Sequence, residues 1–208
     1  MINNIPELYG RKIKVTEISP QILALPEIWR APAVKTTHGI IQCTRCGSRL
    51  KRPTAKLPNH QYYCYECLQM GRMDTLNDLA GLPEPNCFAA NKTPLTWLGH
   101  LTQYQSKCAA DIKSSFQRRE RRLLWAVTGA GKTEMLFAGI TWGLTQGYRI
   151  GIASPRVDVC IELFPRIQAA FAQISCVLLH GKSEQSYKYC QITVCTTHQL
   201  LKFYRAFD

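Results

Sequence analysis

The chain has 208 residues, a formal net charge of +12 and a pI of about 9.4. Its apolar content of 46% and charged content of 19% are typical of globular proteins and exclude a disordered chain. There is no run of about 18 apolar residues that could span a membrane, and the first residues do not form a signal peptide. These features predict a cytoplasmic protein, and the basic excess indicates a polyanionic partner, either nucleic acid or an anionic membrane surface.

The first 94 residues divide into three predicted segments. Residues 1–35 carry four prolines and short apolar runs, which predict strands or loops. Residues 36–75 contain two pairs of cysteines and form a predicted metal-binding domain. Residues 76–94 contain three prolines and a glycine and are interpreted as a linker.

Residues 95–208 show a regular alternation of helical and strand patterns. Helices are predicted over 95–116, over 132–147 with a stop at Gly147, and over 156–171, where Pro165 bends or breaks the helix. Short apolar runs predict strands at 122–127, 148–154, 174–181 and 191–197, and a short helix or turn follows to residue 207. The pattern predicts an α/β fold, a parallel sheet covered by helices on both faces, behind a small metal-binding domain.

The paired cysteines predict a metal site. The two C-x2-C motifs, "CTRC" and "CYEC", are separated by 17 residues and supply Cys43, Cys46, Cys64 and Cys67. Four thiolates at this spacing favour one tetrahedral, structural Zn²⁺, and the alternatives are an iron–sulfur cluster or four buried cysteines. Arg45 and Arg49 are placed to offset the negative charge of a Zn–S4 centre. The six other cysteines are interpreted as small buried residues.

Cations and aromatic residues surround the cysteine pairs. Arg49, Lys51 and Arg52 lie close in sequence to three tyrosines, Tyr62, Tyr63 and Tyr65. Such a mixture suits single-stranded nucleic acid, because cations follow phosphates and rings stack on bases. The alternative is that the tyrosines pack the small core and the cations are only solvated. The sequence alone leaves both interpretations open.

A phosphate-binding loop is predicted at "AVTGAGKT", residues 126–133. The motif lies between a predicted strand and a predicted helix, although Ala126 stands where the usual pattern has glycine. Glycines let backbone N–H groups turn toward phosphates, Lys132 can reach the β- and γ-phosphates, and the Thr133 hydroxyl can bind Mg²⁺. The predicted ATP-binding residues here are Thr128, Gly129, Ala130, Gly131, Lys132, Thr133 and Glu134, with Lys132 and Thr133 closest to the chemistry.

The "TGAGKT" loop resembles that of superfamily-2 helicases and translocases. This resemblance implies that Gln105, 21 residues before the loop in "LTQYQ", reads adenine. It also implies that two segments grip a DNA backbone: "ASPR" (153–156), with Pro155 and Arg156, and "CTTHQLL" (195–201), with Thr196, Thr197 and His198. Hydroxyls, backbone amides and one arginine suit phosphates without reading sequence.

The four-cysteine unit together with "VTGAGKTEM", "ASPRVDV" and "TTHQLLKFYRAFD" resembles the ComFA family of late-competence ATPases of Gram-positive bacteria. The resemblance covers the chain from about residue 40. It implies the first RecA-like helicase lobe and ATP-driven movement of single-stranded DNA during natural transformation, at the inner face of the cell membrane. It also implies partners among competence proteins such as ComFC, ComEC and DprA.

Two other functions remain open from the sequence. One is a PriA-like replication-restart helicase, although the zinc cysteines of that type follow the motor core and these precede it. The other is a zinc-stapled nucleic-acid or protein-binding module whose phosphate loop is not catalytic. The intact Gly129, Gly131, Lys132 and Thr133 argue against this second alternative.

The acidic pair that a helicase motor needs is not found in the sequence. The chain has five aspartates, at 74, 78, 111, 158 and 208, and none is followed by glutamate. A Walker B aspartate holds Mg²⁺, and its glutamate orients the attacking water. We therefore expect an N-terminal fragment, truncated before Walker B, that binds nucleotide weakly and hydrolyses it near the background rate. A sheet edge left unpaired would also allow self-association into an oligomer.

Overall fold

The computed structural model describes residues 1–181 and 187–208, which form two compact units. The first contains residues 1–85, 197–206 and the described part of 184–189. The second contains the described residues of 86–183, together with 190–196 and 207–208. The predicted segments 1–35 and 36–75 therefore lie in one unit, and the predicted linker is divided between both.

Most elements are short. In chain order they are β1 (Ile13–Lys14), α1 (Pro20–Leu23), β2 (Trp29–Pro32), β3 (Val34–Thr37), β4 (Ile40–Cys43), β5 (Arg49–Leu50), α2 (Arg52–Ala55), β6 (Tyr63–Cys64), β7 (Met73–Asp74), β8 (Asp78–Gly81), α3 (Gln103–Arg118), α4 (Lys132–Thr145), β9 (Ile150–Ser154), α5 (Val157–Ala170), β10 (Cys176–Leu179), β11 (Ile192–Thr196) and α6 (Thr197–Leu200). Three 3₁₀ helices accompany them at Ile5–Leu8, Val15–Glu17 and Tyr65–Met70.

The segment predicted as a linker contains the central strand of a sheet in the first unit. β8 pairs antiparallel with β1 on one side and with β2 on the other. Leu79 and Ala80 are fully buried and make β8 a core strand, although the prolines elsewhere in the segment suggest a linker. Gly81 is required here, since a side chain would clash with the Arg11 carbonyl oxygen. The linker interpretation is therefore corrected for residues 78–81.

The cysteine motifs lie on two small antiparallel sheets of the first unit. β3, β4 and β5 form a meander in which Val34 faces Cys43 and Ile41 faces Leu50. β6 and β7 form a hairpin that pairs Cys64 with Met73. The buried Asp74 stabilises the turn after β7, because its carboxylate accepts hydrogen bonds from the Asn77 side chain and the Leu76 backbone.

The second unit contains a parallel three-stranded sheet in the order β10–β11–β9. β11 is the central strand and all five of its residues are buried, as expected of a strand covered on both faces. Apolar residues of α4 and α5 form one core with β9 and β11, in which the Phe137 ring packs edge-on against Phe171 at 5.5 Å. These observations confirm an α/β class with parallel pairing.

The strand predicted at 122–127 is not formed. Residues 121–127 adopt no regular element, and none of the described strands pairs with them. Leu123, Trp125 and Val127 are 82%, 91% and 79% exposed, whereas Leu124 packs against α3 and α4. The segment has the alternating burial of a strand, but a strand exists only with a ladder partner.

The helix predicted from residue 95 begins later. Thr102 caps α3, because its side-chain oxygen accepts from the Gln105 backbone while the Gln105 side chain accepts from the Thr102 backbone. Thr96 instead donates backbone and side-chain hydrogen bonds to the carbonyls of Ala170 and Ala169. Thr96 is therefore held at the end of α5, and residues 95–101 do not join the helix.

Two predictions about helix ends and breaks have different outcomes. α4 ends before Gly147, whose φ of +74° is the left-handed conformation expected of a C-terminal glycine. The sequence predicts a bend or a break at Pro165, and the break is wrong, because α5 runs through Pro165 from Val157 to Ala170. Pro165 is exposed, so water can satisfy the carbonyl that loses its N–H partner.

Candidate nucleotide site and metal centre

The predicted phosphate loop leads directly into α4. Gly129 and Gly131 adopt φ values of +81° and +75°, a region that glycine enters without strain. A Cβ at Gly131 would lie 2.6 Å from Gln105 Nε2, so a side chain at this position would displace the Gln105 amide from the loop. The loop thus brings its glycines and the positive N-terminal end of the 14-residue helix α4 to one space.

That space is a cavity of about 490 Å³ in the second unit. Its volume falls in the range of roughly 300–1,000 Å³ that is usual for small-molecule sites. Six of the lining residues come from the loop and the start of α4, and four come from α5: Thr128, Gly129, Gly131, Lys132, Thr133, Glu134, Val159, Glu162, Leu163 and Arg166. The structure therefore brings six of the seven predicted ATP-binding residues of this segment, all except Ala130, into one cavity wall.

Lys132 and Gln105 hold the loop in its observed shape. Lys132 Nζ donates to the carbonyl oxygens of Val127 at 2.7 Å and Ala126 at 3.1 Å. Gln105 Nε2 donates to the Ala130 carbonyl at 3.0 Å, and its Oε1 accepts from the Thr102 N–H at 2.8 Å. The Gln105 amide thus ties the cap of α3 to the loop, and its predicted role as adenine reader stays a prediction.

Arg166 is a cavity residue that the motifs did not indicate. Its guanidinium pairs with the Glu134 carboxylate across the cavity, which joins α5 to the first turn of α4. The signal that could have found it is the spacing of the lining residues of α5, which recur at i, i+3, i+4 and i+7: Val159, Glu162, Leu163 and Arg166. These residues share one face of α5, so if one of them lines the cavity, the others are expected to line it too.

The four predicted metal ligands converge in the first unit. The Sγ atoms of Cys43, Cys46, Cys64 and Cys67 all lie within 4.8 Å of one another. Cys43 and Cys67 are 3.8 Å apart, and Cys46 and Cys64 are 3.6 Å apart. A tetrahedral Zn²⁺ with Zn–S bonds of about 2.3 Å requires sulfur separations of about 3.8 Å. The cluster therefore fits a structural zinc ion.

The protonation of the thiols is uneven. The hydrogen bond between Cys43 and Cys67 lowers the pKa of Cys67 to about 5, with help from Arg45, and raises the pKa of Cys43. Burial raises the pKa of Cys64 to about 12. Because metal binding needs thiolates, loading the site releases protons from the thiols whose pKa is raised.

Two cations lie beside the cluster, and one of them was not predicted. The buried Arg45 donates from its guanidinium to the carbonyls of Met70 and Cys67, each at 3.2 Å, and also to Gly71. Lys12 Nζ donates to the Arg45 carbonyl at 2.9 Å, and burial lowers its pKa while the nearby cysteines oppose that shift. The predicted partner Arg49 is exposed on β5. Lys12 lies 31 residues before Cys43, and no local pattern connects the two.

Replacing Arg45 by glutamine should weaken the zinc unit. The change removes a buried cation from three carbonyls and from the thiolates, and hydrogen bonds of charged groups are worth about 1.5–3 kcal/mol each. We expect faster zinc release to a chromogenic chelator and a lower urea midpoint. The matched variant is Arg49→Gln, on the exposed side of β5, which should behave as wild type. Equal zinc-release rates for the two variants would contradict a role for Arg45.

The candidate DNA contacts of the second unit lie at one edge of its sheet. Thr196 ends β11 opposite Ser154, which ends β9, and Pro155 and Arg156 follow Ser154. Arg156 is exposed, but its guanidinium forms a bidentate ion pair with Asp158. Thr196 is buried, so it offers little surface to a ligand.

The other candidate DNA contacts belong to the first unit. Thr197 and His198 are exposed at the start of α6, and Arg49, Lys51 and Arg52 are exposed beside the zinc cluster. Tyr62 and Tyr65 pack against the buried core of the unit, which favours the core interpretation for these two rings. The cations thus remain available to phosphates, whereas most of the tyrosine surface is engaged.

The remaining cysteines are not uniformly buried. Cys160, Cys190 and Cys195 are buried, Cys108 and Cys176 are partly buried, and Cys87 is exposed. Cys87 therefore departs from the prediction, because it lies in the irregular stretch between β8 and α3, which has no strand or helix to cover it. Among the described residues, no helix combines the length and the hydropathy that a membrane crossing requires.

Comparisons with known proteins assign both parts of the chain. The family "Competence protein ComFA N-terminal domain" matches residues 7–81, and the family "Type III restriction enzyme, res subunit" matches residues 98–206. Competence protein ComFA of Streptococcus pneumoniae (strain ATCC BAA-255 / R6) is 37% identical over 199 residues, which cover 96% of this chain and 44% of that protein. Competence protein ComFA of Bacillus subtilis (strain 168) is 39% identical over 170 residues, which cover 80% of this chain and 37% of that protein.

These matches have clear bounds. The chain spans less than half the length of the curated relatives it matches. No solved structure gives a significant match. The matches nevertheless extend over both the cysteine cluster and the phosphate loop, and the chain belongs to the ComFA family of competence proteins, with a helicase-type domain over residues 98–206.

Proposed function

We propose that this protein uses ATP to move single-stranded DNA during DNA uptake. The observation that carries the proposal is the cavity formed by the phosphate loop and α5, inside a domain of helicase type. The backbone of Gly129–Gly131 would cradle the phosphates, Lys132 would neutralise them, and the Thr133 hydroxyl would hold Mg²⁺. The bound Mg²⁺–ATP would supply the free energy of phosphoryl transfer.

The residues of this chain are better suited to bind ATP than to hydrolyse it. Glu134, the acidic residue nearest the loop in sequence, is paired with Arg166. No aspartate of the chain is followed by glutamate, the pair that holds Mg²⁺ and orients water in related motors. We therefore propose that these 208 residues bind ATP and hydrolyse it at close to the background rate.

The zinc unit would bind the single-stranded DNA. Structural zinc at the four cysteines would fix the two small sheets, so that Arg49, Lys51 and Arg52 stand at defined positions on the surface. Pro155, Arg156, Thr197 and His198 are further proposed contacts to the DNA backbone. The net charge of +12 supports a polyanionic partner.

Family membership extends the proposal to the cell. ComFC, ComEC and DprA are proposed partners, and the inner face of the membrane is the proposed place of action. A PriA-like restart helicase is less well supported, because the curated relatives are competence proteins and the cysteines precede the phosphate loop. The two functions predict different defects in a deletion strain: loss of transformation for the competence function, and impaired replication restart for the PriA-like function.

The decisive measurement is ATP hydrolysis by the full-length protein with and without single-stranded DNA. We expect the strand to stimulate hydrolysis, and deletion of the gene to lower transformation without slowing growth. Duplex DNA of the same length is the control, since its paired strands do not present unstacked bases. An ATP hydrolysis rate at background level that single-stranded DNA does not raise would favour the alternative of a zinc-stapled binding module with a non-catalytic loop.

A further inference from the structure

The first unit contains a second cavity, which neither the cysteines nor the phosphate loop accounts for. Its volume is about 360 Å³. Its wall combines two cations, two aromatic rings and two small residues: Lys12, Lys35, Trp29, Tyr204, Ala31 and Thr44. Among the residues that the structure describes, no acidic side chain lines it. We call it the Trp29–Tyr204 cleft.

Two aromatic rings form one wall of the cleft. The Trp29 ring lies over Gly81 of β8, where even a Cβ would approach it to 2.9 Å, and packs against the buried core of the unit. The Tyr204 backbone N–H donates to the Gly10 carbonyl at 2.7 Å, which fixes the backbone that carries the second ring. The two ring centroids are 6.3 Å apart with an interplanar angle of 65°. Tyr204 is 50% exposed, and the Arg205 guanidinium lies 5.4 Å from its ring centroid, which adds a third cation beside the aromatic wall.

The third side of the cleft is the first zinc knuckle. Thr44 lies between two residues of the "CTRC" motif, and its hydroxyl donates to the Pro32 carbonyl at 2.6 Å. Lys12 Nζ donates to the Thr44 carbonyl at 3.3 Å, so the same lysine serves the knuckle and the cleft. Zinc binding and the shape of the cleft are therefore mechanically connected.

We propose that the Trp29–Tyr204 cleft binds one unstacked base of a single DNA strand, while Lys35 and Lys12 contact the adjacent phosphates. Aromatic rings beside cations favour this occupant, because stacking on a ring is worth about 1–3 kcal/mol per base and cations follow the backbone. A duplex is excluded from the cleft, since its bases are already stacked. The assignment rests on the proposed single-strand function and gives it a location.

The test compares binding of a fluorescent oligo-dT of about 15 nucleotides, a length within the usual site size, to zinc-loaded protein by anisotropy. Tyr204→Ala should weaken binding at least about fivefold, whereas Tyr204→Phe, which keeps the ring, should bind as wild type. Lys35→Gln, at an exposed position of β3, should weaken binding and reduce its salt dependence. The matched controls are Tyr104→Ala and Lys113→Gln, on exposed positions of α3, which should leave the affinity unchanged.

Two further arms make the result specific. An abasic strand should bind wild type and Tyr204→Ala equally, because it carries phosphates without bases. A strand that contains bromodeoxyuridine should photo-crosslink to a peptide that contains Trp29 or Tyr204. Cross-links that include neither Trp29 nor Tyr204, or wild-type affinity in Tyr204→Ala with full zinc content, would overturn the cleft assignment and leave the proposed function standing. If the wild-type protein binds no single strand at all, both fail.

Discussion

Replacement of Cys43 by serine is expected to remove zinc and unfold the zinc unit. A hydroxyl is a poor zinc ligand, and the remaining three thiols cannot close a tetrahedron around the metal. The apparent free energy of structural zinc binding in small domains is about 10–16 kcal/mol, as large as the roughly 5–15 kcal/mol that stabilises a whole domain. Metal analysis should fall from one zinc ion per chain to none, and proteolysis should cleave within 36–75.

The matched control for this prediction is Cys87→Ser. It makes the same chemical change at an exposed cysteine outside the cluster, so zinc content and protease resistance should not change. Treatment of wild type with a strong chelator should reproduce the Cys43→Ser pattern, and added zinc should reverse it. A Cys43→Ser protein that retains one zinc ion and wild-type protease resistance would show that the four thiols are not the ligands.

The two motifs were readable because each carries its chemistry within a few residues. Two C-x2-C pairs can converge only if the chain between them folds back, and β4, β5, β6 and β7 do so. In "TGAGKT" the spacing of the glycines from Lys132 already implies positive φ angles, and the structure has them at Gly129 and Gly131. Local spacing thus predicted local geometry.

Other features depend on residues far apart in sequence. Lys12 contacts the zinc knuckle from a position 31 residues before Cys43, and Tyr204 approaches Trp29 from the far end of the chain. Neither contact leaves a local pattern, since each depends on the tertiary fold. The same reason explains the linker error, because the three prolines of the segment follow a strand whose partners, β1 and β2, lie far earlier in the chain.

In the segment 122–127 a local pattern is present, but the strand that it predicts is not formed. Its composition is that of a buried strand, and Leu124 is packed as one, yet Trp125 is almost fully exposed. Strand propensity describes how well a residue fits a pleated surface, but it does not show whether a neighbouring strand is present to pair with. Arg166 is a milder example, because its helix was predicted but the face that α5 turns to the phosphate loop was not.

Lys132→Ala should abolish useful nucleotide binding. The ammonium group is the only cation of the loop itself, and it stands at the N-terminus of α4, where the phosphates would lie. One hydrogen bond to a charged partner contributes about 1.5–3 kcal/mol, which corresponds to roughly a 10- to 150-fold loss of affinity. Calorimetric titration with Mg²⁺–ATP measures the loss. Thermal unfolding at fixed ATP gives a second readout, because a ligand stabilises only the state that binds it.

The control for charge is Lys107→Ala, which removes the same group from an exposed position of α3 and should leave ATP affinity unchanged. The control for shape is Gly131→Ala, which keeps Lys132 but places a Cβ 2.6 Å from Gln105 Nε2 at a positive φ. If the loop is a phosphate cradle, both Lys132→Ala and Gly131→Ala must lose affinity, since one removes the cation and the other distorts the backbone N–H groups. Loss in Lys132→Ala alone would mean that the nucleotide binds through charge without the cradle.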